Sequence, residues 1–272
     1  MTITMMLITA AMFAQPSARP VESPTNAMPE SSTKAPSGAT HESAAAFEKK
    51  LQELDAKMAK VVDLRASFEQ RKKTALLKKP IVSSGTLSCK GESVLWRTLK
   101  PRESQLLVTP DKVTVYYPAD KLAEVYPVGA RFRDAAGGPL PRLPKLREKF
   151  EMREMTNDEK KALGVESSAD RLCVALTPKG DELKKYVAMV RVVIDTSVPC
   201  ADRVVVSDPE GDETEIRFSG VTINVGMKDS ELELALPEGT KVSTPGAETT
   251  RTAKPSESSG PDGTRRPSTG KN

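Results

Sequence analysis

Chemistry-bearing residues are scarce in this chain of 272 residues. It has one histidine, three cysteines and one tryptophan. The lone His41 leaves no material for a histidine-based nucleophilic triad or an HExxH zinc site. It also removes the commonest general base. No GxSxG elbow, P-loop or GxGxxG run is present. Cys89, Cys173 and Cys200 are odd in number and lack CxxC spacing, which argues against a metal site. One disulfide among them is allowed in an oxidising compartment, and the sequence does not choose the pair. Each also suits a small buried apolar position. Asp208, Glu210, Asp212 and Glu213 cluster in a predicted turn, which reads as solvated. The expectation is a protein without catalysis, metal or cofactor.

Aromatics are few, and the net charge of +4 comes from well-mixed signs. Nucleic acid asks for a concentrated basic stripe with interleaved aromatics, so it is not expected as a partner. The densest basic run is Arg71, Lys72, Lys73, Lys78 and Lys79. It reads as a solvated hairpin tip, with anionic lipid headgroups or an acidic partner as the alternative.

Long apolar runs are also missing. Met1–Ala14 is apolar but shorter than the roughly 20 residues of a spanning helix. It resembles a signal-peptide core, with small residues at Ala10, Ala11 and Ala14, although no Lys or Arg precedes it. The first cysteine is Cys89, so no lipid-anchoring cysteine follows that core. The expected product is a soluble, monomeric periplasmic protein. Residues 15–43 and 244–272 are rich in Ser, Pro, Thr and Gly and read as disordered linker and tail. The folded domain is expected at 44–243.

Within that domain, Phe47, Leu51, Leu54, Met58 and Val61 recur at helical spacing, predicting an amphipathic helix over 44–62 with Ser43 as its N-cap. The period then becomes two. Val94 and Trp96 alternate with Leu95 and Arg97; Val113, Val115 and Tyr117 with Lys112, Thr114 and Tyr116. The same holds for Leu172, Val174 and Leu176, for Ile216 and Phe218, for Val221, Ile223 and Val225, and for the leucines of 231–236. Further strands are predicted at 64–75, 81–89, 104–109, 121–127, 189–195 and 202–208. Pro110-Asp111, Pro118–Asp120 and Ser207–Asp212 carry the residues of tight connections. Between 128 and 168, Leu140, Leu143, Leu146 and Phe150 recur at helical spacing, and Asp158–Leu163 adds a turn ended by Gly164. A long meander with two amphipathic helices predicts a mainly β, α+β protein whose curved sheet wraps helices.

Several segments, taken in order, resemble the outer-membrane lipoprotein carrier (LolA) family. Val62–Gln70 is similar to its first strand; Gly85-Thr-Leu87 with Trp96 and Pro101 to its G-x-L…W…P stretch. Val113–Pro118 resembles its aromatic strand. Val192–Asp195, Asp208–Ile216 and Leu236–Val242 resemble its C-terminal strands and terminal P-x-G-x-x-V. The resemblance implies an incomplete, strongly curved antiparallel β-barrel with a helical lid over a hydrophobic cavity. It implies binding of lipoprotein acyl chains or other lipids, and exchange with an inner-membrane export complex and an outer-membrane receptor. A relative acting as an envelope-stress regulator that senses lipoproteins is the alternative. The implied cavity wall is Phe68, Leu87, Val94, Trp96, Leu107, Val115, Tyr117, Ile194, Ile216 and Phe218. The implied lid is Leu140, Leu143, Leu146 and Phe150. One departure stands out. The family carries an Arg before a Pro in the second stretch, linked to lid closure and transfer. Here the region reads Cys89-Lys-Gly-Glu-Ser93, and Lys90 lacks the bidentate fork of Arg.

Overall fold

The computed structural model describes residues 41–127, 143–165 and 170–245. The expected signal core, most of the expected linker, Leu140 and nearly all of the expected C-terminal tail lie outside these residues. Helix α1 (His41–Met58) leads into β1 (Asp63–Lys73), β2 (Ile81–Lys90), β3 (Ser93–Lys100), β4 (Ser104–Val108), β5 (Lys112–Tyr117) and β6 (Leu122–Pro127). From residue 143 come α2 (Leu143–Lys149), β7 (Phe150–Glu154), α3 (Asn157–Ala162), β8 (Arg171–Pro178) and α4 (Asp181–Lys184). Strands β9 (Met189–Asp195), β10 (Cys200–Ser207), β11 (Glu213–Ile223) and β12 (Lys241–Ser243) follow.

The strands form one open, curved 12-stranded sheet in the order β12-β6-β5-β4-β3-β2-β1-β11-β10-β9-β8-β7. All pairs are antiparallel except β12 with β6. Two meanders, β1–β6 and β7–β11, therefore join along the β1–β11 ladder, which runs from Leu64↔Ile223 to Lys73↔Glu213.

Residues directly opposite in a ladder share a face, so register assigns the faces. Val204 of β10 opposes Ile216 of β11. The inner face is therefore continuous from Val204, Val190 and Val174 to Ile216, Phe68 and Trp96. Helix α1 lies on its β8–β10 half. Leu51, Leu54 and Met58 pack there with Leu172, Val174, Leu176, Val190 and Val206. Burial of each such side chain contributes roughly 1.5–3 kcal/mol. Arg147 of α2 donates to both carboxylate oxygens of Glu48 at 2.6 Å, tying α2 to α1.

The outer face is covered twice. The segment around α3 places Met155 and Val165 over Cys173, Ala175 and Val193. Thr156 caps α3 with a full capping box, and Gly164 ends it at φ +62. The segment after β11 crosses from the middle of the sheet to its far edge, where β12 pairs with β6. On the way Met227 and Leu232 cover Leu95 and Leu107.

Four local expectations are corrected. The α1 helix begins at His41, so Ser43 is inside it rather than its cap, and it ends at Met58 rather than Val62. The alternating leucines of 231–236 form no strand: a 3-10 turn spans Asp229–Leu232 and the rest is extended without ladder pairing. Leu232 is buried and Leu234 partly buried on the outer face of the sheet, whereas Leu236 is exposed. Strand β11 stops at Ile223, and Val225 is exposed. Phe150 opens β7 instead of continuing the helix before it.

Candidate functional site

The inner face of β1–β5 and β11 is an apolar wall. Leu64, Ala66 and Phe68 of β1 and Leu87 and Cys89 of β2 are buried there with Val94 and Trp96 of β3. Leu106, Val113, Val115 and Ile216 continue it, and the partly buried Phe218, Tyr117, Val221 and Ile223 pack against it. Three aromatics form its centre. The Phe68 and Trp96 rings meet edge to face at 4.9 Å between centroids, and Trp96 and Phe218 lie 6.0 Å apart at a tilt. Such ring pairs add about 0.5–1.5 kcal/mol beyond their burial.

Gly85 makes this cluster possible. It faces Phe68 across β1–β2 and Thr98 across β2–β3, where the register shifts between Ser84 and Gly85. A Cβ at Gly85 would lie 1.9 Å from the Arg97 carbonyl oxygen. The strands can approach this closely only because no side chain is present. Phe68 of β1 and Trp96 of β3 meet across β2 at this glycine.

The wall carries little reactive chemistry. Burial raises the Cys89 thiol well above its ordinary range, with nearby Cys200 adding to the shift. Burial pushes Cys200 up to about 12. Both are free thiols serving as small apolar surfaces. Cys173 is also free and buried, on the outer face. At the margin, burial and then the Glu124 carboxylate push Tyr126 up to about 12, and its hydroxyl donates to Glu124 at 3.1 Å. Burial raises Tyr117 in the same way, followed by Glu124 and Asp120. Among the described residues no three His, Cys, Asp or Glu side chains gather as a metal site would require.

The outer-face strap is fixed opposite the wall. Asp63 is buried, and desolvation pushes its carboxyl up. Donors from the main-chain N–H of Val225, Gly226 and Met227, with Lys90 nearby, outweigh that and hold it below the usual range. Asn224, left-handed at φ 56, accepts from the Val62 N–H and donates to the Lys60 carbonyl. Arg65 pairs with Glu231. Lys90 donates to the Met227 carbonyl at 2.8 Å and pairs with Asp229 at 2.7 Å. Lys90 therefore anchors the strap.

The expected wall residues divide. Phe68, Leu87, Val94, Trp96, Val115, Tyr117, Ile216 and Phe218 come together in the one cluster. Leu107 faces the other way: it opposes Leu95 under Leu232, and its neighbour Leu106 opposes Trp96 on the wall. Ile194 has the inner-face parity but lies in the cluster under α1. Two of the four expected lid residues have described side chains. Leu146 and Phe150 pack into the α1 cluster, away from Trp96. Leu143 opens α2, and Leu140 lies outside the described residues. Sequence reasoning missed Leu64 and Ala66, although Leu64, Ala66 and Phe68 are spaced by two and mark one face.

No family model matches the chain, and no curated protein does. Similar solved structures include LolA superfamily proteins. One, from Nitrosomonas europaea, is 9% identical, with a TM-score of 0.37, 69% of this chain and 97% of that chain covered. An outer membrane lipoprotein-sorting protein domain from Vibrio parahaemolyticus is 15% identical, with a TM-score of 0.36 and 69% and 97% covered. The MucA/MucB complex of Pseudomonas aeruginosa matches at 11% identity, a TM-score of 0.41 and 70% and 61% covered. At these identities and TM-scores the likenesses are too distant to assign a function.

Proposed function

We propose that this chain is a non-enzymatic periplasmic carrier that shelters acyl chains, of lipoproteins or of another lipid, against the apolar wall of β1–β5 and β11. One observation carries the reading. A single sheet face places Phe68, Trp96 and Phe218 at the centre of a wide aliphatic wall, and no helix among the described residues packs on it. An acyl chain gains about 0.8 kcal/mol for each methylene it buries. A 16-carbon chain therefore needs a partner surface worth on the order of 12 kcal/mol to leave a membrane. A wall of this composition supplies apolar area of that kind without any bond being made or broken. Its cysteines are protonated and its tyrosines unionised at neutral pH, which keeps charge off the surface. Entry requires the aromatics to part, so binding and release follow movement of Phe68, Trp96 and Phe218.

The test uses Trp96, the only tryptophan. A brominated fatty acid should quench its emission, and native mass spectrometry of protein isolated from cells should show a bound lipid. Emission that ignores a ligand bound by an independent measure would place the ligand elsewhere. Absence of any ligand by both methods would leave the wall as ordinary core.

A further inference from the structure

Four exposed apolar residues, Leu76, Leu77, Val82 and Leu99, lie at one end of the sheet. The register places the β1–β2 turn, the β3–β4 turn, the β5–β6 turn and the β10–β11 turn at that end. Leu76 is 91% exposed and Leu77 50% exposed at the β1–β2 tip, and Val82 and Leu99 are exposed on the adjoining strands. The tip is built rather than loose. Asp212 accepts from the Ala75 N–H, the Thr74 hydroxyl oxygen from the Leu76 N–H, and the Thr74 carbonyl from the Leu77 N–H. A structured turn therefore holds Leu76 out in water, where an apolar side chain gains nothing within the monomer.

The charges beside it have a sign. Lys72 and Lys73 are matched by Asp212 and Glu213, and Arg71 by Glu69. Lys78, Lys79 and Lys100 have no ion-pair partner among the described residues, whereas Glu103 and Glu210 are the exposed unpaired acids nearby. The two tip lysines flank the leucines directly in sequence, Leu76-Leu-Lys-Lys79. Two apolar residues with adjoining free ammonium groups fit the boundary between acyl chains and anionic headgroups.

We propose that the β1–β2 tip docks this protein on an anionic bilayer, with Leu76 and Leu77 entering the acyl boundary and Lys78 and Lys79 meeting phosphate. Docking does not depend on the wall holding a ligand. Along the inner face, Phe68 is followed toward the tip by Gln70 and Lys72, so the apolar wall turns polar toward the docked end.

Cosedimentation of the full chain with vesicles tests this. Vesicles of phosphatidylglycerol and phosphatidylethanolamine should bind it, and phosphatidylcholine vesicles should bind it less. Leu76→Ser/Leu77→Ser should weaken binding on the order of tenfold or more. Lys78→Gln/Lys79→Gln should weaken it roughly thirtyfold on the anionic vesicles and little on phosphatidylcholine. Both variants alter exposed residues, so their melting should match the parent. The brominated fatty-acid response of Trp96 should also be unchanged, which separates docking from interior binding. Unaltered vesicle binding by the leucine variant overturns the proposal. So does a parent that ignores anionic vesicles, or a leucine variant that changes the sedimentation of the protein alone, since the tip would then be a contact between copies.

Discussion

The two halves of the inner face have the same ladder geometry and different fillings. Over β8–β10, α1 supplies Leu51, Leu54 and Met58, and the half is a sheet-on-helix core with its own plug. Over β1–β5 and β11, the side chains of the sheet close on each other, and the aromatics Phe68, Trp96 and Phe218 occupy the centre. Displacing α1 would expose its buried leucines to water. Aromatics meeting edge to face are separated by rotating side chains. If the wall binds lipid as proposed, stability and ligand capacity divide between the two halves of one sheet, and mutations should separate them.

The largest effect belongs to the plugged half. Leu54 is 2% exposed, and Leu54→Ala should cost about 4 kcal/mol of stability through lost burial and the cavity left behind. Denaturant melts would measure it, and ligand-induced quenching of Trp96 should survive wherever the variant is folded. Loss of binding at full stability would mean that the α1 half also holds ligand. Next is Gly85→Ala. The added methyl meets backbone at Arg97, not a flexible side chain. It should cost roughly 3 kcal/mol and shift the β2–β3 register. A variant as stable as the parent would show that the strands part there easily.

Phe218→Ala should behave in the opposite way. Phe218 is only partly buried, so its removal should cost about 1–2 kcal/mol in stability. Fatty-acid affinity should fall by roughly tenfold, from lost apolar contact. A stability loss as large as that of Leu54→Ala, with affinity intact, would erase the distinction between the halves.

Much of the sheet is legible in the sequence, and what is not has physical causes. Period two marks the strands because most have one apolar face. Leu106-Leu-Val108 has no period, because β4 is buried on both faces, and the expectation for Leu107 falls on the wrong one. Ile194 has the expected parity but lies in the other half, since alternation names a face and not the element packed on it. Of the alternating leucines of 231–236, Leu232 and Leu234 pack on the sheet, and periodicity does not report whether ladder bonds accompany such packing. Phe150 follows Leu146 by four, yet the chain turns from helix to strand between them. The docking of the strap by Asp63 involves contacts some 160 positions apart, which no local pattern encodes.

The smallest predicted effect compares the outer covers of the two halves, each tied down by a carboxylate. In the α3 cover, the Arg153 guanidinium is the main influence on Glu159, with the Thr156 N–H and hydroxyl adding to it. Together they bring its pKa to about 2 against burial. In the strap, Asp63 is likewise lowered, by three main-chain donors. A carboxyl whose pKa is lower in the folded state stabilises that state above its unfolded pKa, and the contribution is lost as pH falls toward the folded pKa. Both covers should therefore loosen in acid, for Glu159 between about pH 4.5 and 2. Glu159 is partly solvated and its partner Arg153 more so, so screening reduces the contribution to about 1 kcal/mol. Glu159→Gln should lower stability by that amount at pH 7 and flatten its dependence on pH below 4.5. Hydrogen exchange read after acid pulses should show 157–164 opening in the parent at the pH where the variant is already open. If Glu159→Gln leaves the acid slope unchanged, the acid sensitivity lies with the Asp63 strap, and the cover behind the wall is the weaker of the two.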